Sequence, residues 1–299
     1  MTHTGTQADS AAAATPPAIV NESIQRISQL ATLPETTLKI IELVEDPGSS
    51  ALDLVDVLKH DPALASRVVR LVNSGFYGLP GRVSSVEQAI KLLGLNALKN
   101  IAIAASLTRL FGGGQICASF DAHELWRHCI AVAIGSKLLS THCGHVFPEE
   151  AFLAGLIHDL GILVEMQACR PQLVEIVKTV EADPQITFRA AERRAMGATH
   201  EDFGAALCRA WKFPECFTNT TGYHHRPDAA DAEHGALVRI VHAADVLAAR
   251  LGLGYCRTVE TTQINAAMLE EMGIDQPGID EIVAIMPEAT EQTAALLRP

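Results

Sequence analysis

Residues 148–163 read PEEAFLAGLIHDLGIL, and this stretch decides the class of fold. A proline opens it, two glutamates follow in the first helical turn, and the remaining residues are apolar on nearly every side. Such a helix belongs in a protein core. His158 and Asp159 stand together near its end, where burial of a carboxylate is costly unless the carboxylate is paired or bound to a cation. The stretch therefore predicts a core helix that ends in either a structural ion pair or a metal site.

Helical spacing extends over the rest of the chain. Apolar residues recur with a period near 3.6 from end to end, whereas alternating strand patterns are scarce. The three glycines at 112–114 interrupt this pattern, since no helix interior tolerates them cheaply. The sequence predicts an all-α protein of two helical bundles. We expect a disordered tail over 1–20, an N-terminal bundle over 21–113, a histidine-rich helical domain over 114–252 and a helical extension over 253–299.

Capping residues indicate where several helices begin. Asp61 stands before a proline, which is the arrangement of an N-cap followed by proline at the first helical position. Ser84 with Glu87 matches a capping box, and Asn96 and Thr199 precede further apolar-periodic segments. We expect helices to begin next to these residues.

Histidines and one aspartate lie in or beside other helices that are predicted to be buried. His128 is surrounded by apolar residues at helical spacing, His200 lies in a first helical turn, and Asp245 lies in mid-helix. His224 and His225 are adjacent at a helix end, where the relaxed backbone lets both rings converge on one centre. Each residue alone also has a structural explanation, as a hydrogen-bonded core histidine or as the partner of a nearby arginine.

Together these residues are a candidate ligand set for one or two metal ions. The set is His128, His158, Asp159, His200, His224, His225 and Asp245. Imidazole nitrogens combined with carboxylate oxygens suit Fe, Mn, Co, Ni or Zn, whereas Mg is satisfied by oxygen ligands and Cu by fewer ligands. We expect a divalent transition metal (Fe, Mn, Ni or Zn), and the alternative is a structural polar network without metal.

Charge and cysteine usage exclude several classes of function. The formal net charge is −12 and no run of Lys and Arg offsets it, so nucleic acid is a poor candidate partner. The seven cysteines are scattered without a CxxC pair, which argues against a disulfide framework and indicates a reducing compartment. No uninterrupted apolar run reaches the roughly 20 residues that span a bilayer, and the first 17 residues lack the features of a secretory signal. We expect a cytoplasmic protein with no membrane partner.

The order His, His-Asp, His, His-His, Asp resembles that of the HD-domain phosphohydrolases, most closely the branch that contains the HD-GYP cyclic-di-GMP phosphodiesterases. Further stretches resemble the HDOD family. They are DPALASRVVRLVNSGFYG at 61–78, and LCRAWKFPE at 207–215 followed by TTGYHHRP at 220–227. The resemblance covers about residues 25–250, and it implies that the C-terminal bundle is HD-domain-like.

Departures from the HD-GYP pattern bear on activity. Those enzymes carry a lysine after the His-Asp-x-Gly stretch, where it can meet a substrate phosphate; Ile162 stands there in this chain. They continue past the paired histidines with a glutamate and a Gly-Tyr-Pro element, and here Arg226, Pro227 and Asp228 follow. We expect a bacterial regulatory module that binds signalling proteins, with little or no catalysis. The alternative is a metal-dependent phosphohydrolase or phosphodiesterase, for which a nucleotide would be an additional partner.

Two features leave alternatives open. Glu124 lies four residues before His128 on the same helix face, so it either adds a metal ligand or caps a surface turn. Phe76 and Tyr77 lie in a glycine-flanked loop, and they are either aromatic anchors for a partner protein or plugs between the two bundles.

Overall fold

Helices form almost all of the regular structure, so the all-α prediction is confirmed. The structure is a computed structural model that describes residues 17–30, 33–79, 81–144 and 146–298. The N-terminal part contains α1 (Ala18–Leu30), α2 (Glu35–Glu45), α3 (Ala51–Lys59), α4 (Pro62–Val72), α5 (Val86–Leu93) and α6 (Leu95–Leu107). The C-terminal part contains α7 (Ala122–Cys143), α8 (Pro148–Ile157), α9 (Leu160–Ala168), α10 (Arg170–Ala182), α11 (Phe188–Met196), α12 (His200–Ala210), α13 (Glu215–Tyr223), α14 (Gly235–Arg250), α15 (Ala266–Glu271) and α16 (Gln276–Leu296).

The chain ends and the glycine run have their own local structure. Residues 1–16 of the expected tail lie outside the described residues, but α1 already begins at Ala18 and buries Val20, so the helical part starts earlier than expected. After the three glycines, β1 (Gln115–Cys117) pairs antiparallel with β2 (Phe120–Asp121). This small hairpin leads directly into α7.

Two of the predicted helix starts are confirmed. The Asp61 side chain caps α4 by accepting a hydrogen bond from the Leu64 backbone N–H at 2.8 Å. Thr199 caps α12 in a capping box, where the Asp202 carboxylate accepts from the Thr199 backbone N–H at 2.8 Å.

The other two predicted starts are wrong, by one residue for α5 and by two residues for α6. Ser85 rather than Ser84 caps α5, and the Ser84 backbone N–H donates to the Gln88 side chain instead. α6 begins at Leu95, before Asn96, because Gly94 adopts φ 87° and joins α5 to α6 without a linker. The adjacent serines thus shift the predicted start of α5, and Gly94 shifts the predicted start of α6.

One continuous core runs through both parts of the chain. α7 packs against α8, α14 and α16, and α6 packs against α2, α4 and α8. α1 lies on α9 and α12, while α16 also reaches α4. Because α1, α6 and α16 tie the two parts together, the domain boundary near residue 113 stays a prediction.

α8 and α9 form the apolar axis of the C-terminal part. The span from Pro148 to Ala168 is long and apolar enough to cross a membrane by length and composition, but 89% of its most apolar window is buried inside the protein. Close backbone packing holds it there. A Cβ added at Gly155 would come within 2.8 Å of the Val132 carbonyl oxygen of α7, and one added at Gly161 would collide with the His200 carbonyl of α12.

The aromatic pair after α4 lies between the two parts of the chain. The Phe76 ring centroid is 6.2 Å from that of Phe152 on α8. The Lys137 ammonium of α7 lies 3.6 Å from the centroid of the Tyr77 ring. The Tyr77 hydroxyl is buried, and burial raises the pKa of Tyr77. These contacts favour the plug alternative over the anchor alternative.

Candidate metal centre

The seven residues singled out in the sequence converge in the C-terminal part. Their ligand atoms fall into two groups, and within each group the atoms lie within 4.8 Å of one another. The first group is Asp159, His200, His224 and His225, and the second group is His128, His158 and Asp245. No side chain among the seven is more than 3% exposed. We call this set of seven side chains the centre.

Mid-helix positions and a helix break supply four of these side chains. His128 lies in the middle of α7, and Asp245 lies in the middle of α14. His158 follows the last residue of α8, and Asp159 precedes the first residue of α9. The break between α8 and α9 therefore places both side chains in the core, as the sequence predicts.

Helix termini supply the three remaining histidines. His200 is the first residue of α12, and His224 and His225 directly follow α13. The ring centroids of His224 and His225 are 4.2 Å apart, and His225 Nε2 lies 3.0 Å from His200 Nε2. Both adjacent rings thus turn toward the same place, which a regular helix interior would not allow.

Asp159 faces both groups at once. Its Oδ1 lies 3.5 Å from His200 Nε2 and 3.6 Å from His224 Nε2, while its Oδ2 lies 3.5 Å from His158 Nε2. Neither oxygen has a hydrogen-bond partner among the described residues. A fully buried carboxylate with two unsatisfied oxygens is costly unless something else satisfies it. This is the arrangement of a carboxylate able to bridge two cations.

Asp245, on α14, also lies between the two groups of ligand atoms. Its Oδ1 accepts a hydrogen bond from His128 Nε2 at 2.9 Å, and its Oδ2 lies 3.7 Å from His225 Nδ1. The alternative partner for Asp245, an arginine, is not found in the part of the chain that the structure describes. Burial lowers the pKa of His128, but its hydrogen bonds to Asp245 and Cys256 hold that pKa well above its usual value. Without an ion, His128 and Asp245 therefore form a buried ion pair.

Most of the other groups are in the protonation state that metal binding requires. Burial lowers the pKa of His158 to about 4. Burial, followed by the neighbouring His224 and His200, lowers the pKa of His225 well below its usual value. Burial raises the pKa of Asp159, but His158 and the other histidines around it hold that pKa well below its usual range. Neutral imidazoles and an ionised carboxylate are ready to bind a cation without first losing protons.

A pair of buried glutamates orients His200. Its Nδ1–H donates to Glu192 Oε1 at 2.8 Å, and its backbone N–H donates to the same oxygen at 3.1 Å. Glu165 faces Glu192 and both are fully buried, so burial raises the pKa of each carboxyl well above its usual value. Glu165 therefore keeps its proton in the folded protein. A carboxylate on one ring nitrogen fixes the histidine with its other nitrogen toward the centre.

Glu201 holds the chain beyond α13. Its carboxylate is buried, lies 2.7 Å from Arg189 Nη2 and 3.2 Å from Arg226 Nε, and accepts from the His225 backbone N–H at 3.3 Å. The Arg226 side chain remains 39% exposed and stacks over the Tyr223 ring. Glu201 thus links the two arginines to the backbone of His225.

The structure does not support Glu124 as a ligand. Its side chain is 54% exposed and lies 3.7 Å from Arg127 at the surface. The groups near His128 Nδ1 are instead the Leu253 carbonyl at 3.3 Å and Cys256 Sγ at 3.8 Å.

Sequence reasoning missed the side chains that support the centre. Glu165, Glu192, Glu201 and Cys256 were not singled out. Glu165 could have been found from the sequence, because it is the only charged residue in the mostly apolar helix LGILVEMQA. The others carry no comparable mark, since they reach the centre through contacts that the local sequence does not show.

A family model of the HDOD domain matches residues 30–227, about two thirds of the chain. The chain belongs to the HDOD family. The resemblance noted in the sequence is thereby confirmed. The match ends before Asp245, so the residue of the centre on α14 lies outside the matched segment.

This HDOD protein is similar to several solved structures and to longer curated proteins. An HDOD domain protein of unknown function from Geobacter sulfurreducens is 26% identical, with a TM-score of 0.79 over 93% of this chain and 97% of that one. A Marinobacter aquaeolei VT8 protein, provisionally named a signal transduction protein, is also 26% identical, with a TM-score of 0.74 over 93% of this chain and 64% of that one. Ribonuclease Y of Lachnoclostridium phytofermentans is 30% identical over 83% of this chain and 44% of its own length. The chain spans less than half the length of the curated relatives that it matches first.

Proposed function

We propose that this HDOD protein is a cytoplasmic signalling module that acts by binding partner proteins, with little or no catalysis. In this proposal its centre holds one or two divalent transition-metal ions, Fe, Mn, Ni or Zn. The observation that carries the proposal is the enclosure of the centre, in which no side chain is more than 3% exposed. A substrate cannot reach groups that water itself barely touches.

The side chains of the centre fit a metal ion better than a purely structural network. A structural network would satisfy its own members, but Asp159 Oδ1 and Oδ2, Asp245 Oδ2 and His158 Nε2 are buried without hydrogen-bond partners among the described residues. Five imidazoles and two carboxylates suit a transition metal. When bound, such an ion supplies a positive charge that satisfies these orphaned acceptors and ties five helical segments together.

The surroundings of the centre favour a regulatory role over phosphoryl chemistry. Ile162 occupies the position where the related HD-GYP enzymes carry a phosphate-binding lysine, and its side chain is fully buried in α9. Holding a phosphodiester in line can contribute roughly 7 to 11 kcal/mol to catalysis, and an apolar, buried side chain offers nothing to hold it. The Marinobacter relative, named for signal transduction, supports the same reading.

One observation favours a second candidate, a metal-dependent phosphohydrolase acting on a nucleotide. Asp159 directs one oxygen to each histidine group, and two-metal hydrolases hold their ions about 3.5–4 Å apart with bridging ligands. The likeness to ribonuclease Y is in keeping with this alternative. It requires a path for the substrate to open to side chains that are at most 3% exposed.

Elemental analysis and a turnover assay on the same preparation test the proposal. Purified protein should carry about one to two transition-metal ions per chain, and Asp159→Asn should carry few or none. Loaded with Fe or Mn, the natural chain should not hydrolyse a cyclic dinucleotide or an activated aryl phosphodiester, and Ile162→Lys serves as the comparison once its melting curve shows that it folds.

Two outcomes contradict the proposal in different ways. Folded protein that contains no metal and takes none up on reconstitution leaves a structural polar network. Turnover of the cyclic dinucleotide on the order of one per second, the scale of ordinary enzymes, would support the phosphohydrolase alternative instead of the regulatory proposal.

A further inference from the structure

A groove lies between the N-terminal and C-terminal parts at the start of α8, whereas the centre lies at the end of that helix. It encloses about 450 Å³. Leu93 and Leu95, at the junction of α5 and α6, line one wall, and Pro214 and Phe217, at the start of α13, line the other. Phe147 stands at its rim, directly before α8. Both walls of the groove therefore carry apolar side chains.

Phe147 is exposed but its backbone is fixed. Its side chain is 76% exposed, the highest value for a large apolar residue in the described part of the chain. Its carbonyl accepts hydrogen bonds from the backbone N–H groups of Glu150 and Ala151, both at 3.0 Å. An aromatic side chain held out on a rigid helix start is preorganised to pack against a partner, since little backbone freedom is lost on binding.

Asn100 lines the same groove as a polar group without a partner. It is only 7% exposed, and its buried Oδ1 accepts no hydrogen bond from any described residue. Buried side-chain amides are nearly always hydrogen-bonded in folded proteins. An unpaired acceptor in a groove wall favours a ligand that carries a donor, such as the backbone N–H of a peptide.

The charge in the groove is negative. Glu149 and Glu150 both line it, and Glu149 is paired with Lys137 at 3.5 Å. Glu150 has no lysine or arginine partner within the described ranges, and burial raises the pKa of its carboxyl despite the hydrogen bond with Cys216. The natural complement of a half-buried, unbalanced carboxylate is a cation, and the net charge of −12 attracts basic partners from a distance.

We propose that this groove binds a basic amphipathic segment of a partner protein. An apolar side chain of the segment packs between Phe147 and the groove walls, a lysine or arginine pairs with Glu150, and a backbone amide pairs with Asn100. This inference rests on the proposed function, because it names the kind of partner through which the module acts. A second copy of the chain is a poorer occupant, since two copies that each carry −12 repel one another.

Fluorescence anisotropy with defined peptides tests the groove. The probe is a labelled peptide of leucine and lysine at helical spacing, and its counterpart carries glutamate in place of lysine. The lysine peptide should bind the full chain at about physiological salt, and the glutamate peptide should not. Phe147→Ala should weaken the Kd by about tenfold, as expected for an aromatic hot spot, and Glu150→Gln should weaken it several-fold.

Matched controls separate groove binding from general charge attraction. Leu52→Ala removes another strongly exposed apolar side chain, and Glu281→Gln removes one exposed charge on α16. Both should leave the Kd unchanged. Circular dichroism melting should show that all four variants fold.

Two results would overturn the inference. One is equal weakening by the groove variants and their controls, which means that net charge alone attracts the peptide. The other is self-association in sedimentation velocity that Phe147→Ala abolishes, which assigns the groove to a second copy. Neither result alters the metal content or the turnover assay, so the groove can fail while the proposed function stands.

Discussion

Replacing Glu165 with glutamine should stabilise the protein increasingly as pH rises above 4.5, the ordinary pKa of a glutamate side chain. Burial and the neighbouring Glu192 raise the pKa of Glu165 in the folded state, so the folded protein keeps a proton that the unfolded chain releases. The folded state then binds more protons than the unfolded state, and stability falls with rising pH between 4.5 and the raised pKa. Glutamine has no proton to lose, and it keeps nearly the size and shape of the protonated glutamate side chain.

The expected size follows from one proton. A difference of one bound proton changes the free energy of unfolding by about 1.4 kcal/mol per pH unit. The gain of Glu165→Gln over the natural chain should grow with that slope until the pH reaches the folded pKa of Glu165, and then level off.

Urea denaturation across a pH series provides the measurement, with metal-free and metal-loaded protein treated separately. Glu175→Gln, an exposed change on α10, is the control and should show no such slope. A gain for Glu165→Gln that is constant between about pH 5 and pH 8 would refute the reasoning, because it would mean that Glu165 is ionised in the folded protein.

Three further outcomes are expected. Asp159→Asn should reduce the metal content to near zero by elemental analysis, because its two oxygens face both histidine groups; full occupancy would contradict the bridging role. A strong chelator should lower the melting temperature in scanning fluorimetry, since an ion would link five helical segments, and equal curves after confirmed metal removal would contradict this. Phe76→Ala should lower the free energy of unfolding by about 1 to 2 kcal/mol if the ring is a plug, less than for a fully buried Phe because Phe76 is half-buried. The exposed Leu52→Ala should cost less than about 0.5 kcal/mol.

The local sequence was enough to predict the all-α class and the seven residues that the structure brings together. The lone His158-Asp159 pair in an apolar stretch marked the core axis, and the structure places both residues at a helix break between α8 and α9. The cap at Asp61 was readable because the aspartate and the following proline act within one turn. The tandem Ser84 and Ser85 was ambiguous, because either hydroxyl can cap the same helix.

Long-range contacts account for what the sequence could not show. Glu192 meets His200 across a turn between α11 and α12, and Glu165 meets Glu192 across two helices, so neither pairing follows from spacing. The groove is built from segments about 50 to 120 residues apart, which only the tertiary fold brings together. The choice between anchor and plug for Phe76 likewise depended on seeing Phe152 and Lys137 beside it.

The enclosure of the centre also affects how long a bound ion would stay there. A cation held by side chains that are at most 3% exposed can leave only when the surrounding helices separate, so its residence time would follow the rate of local opening rather than its affinity. The ion found in a cell would then record which metal was abundant when the chain folded, and not which metal binds most tightly at equilibrium. Cultures grown on different trace metals would yield protein with different, slowly exchanging ions. The bound metal would then not follow the order of affinities that ligand chemistry alone predicts.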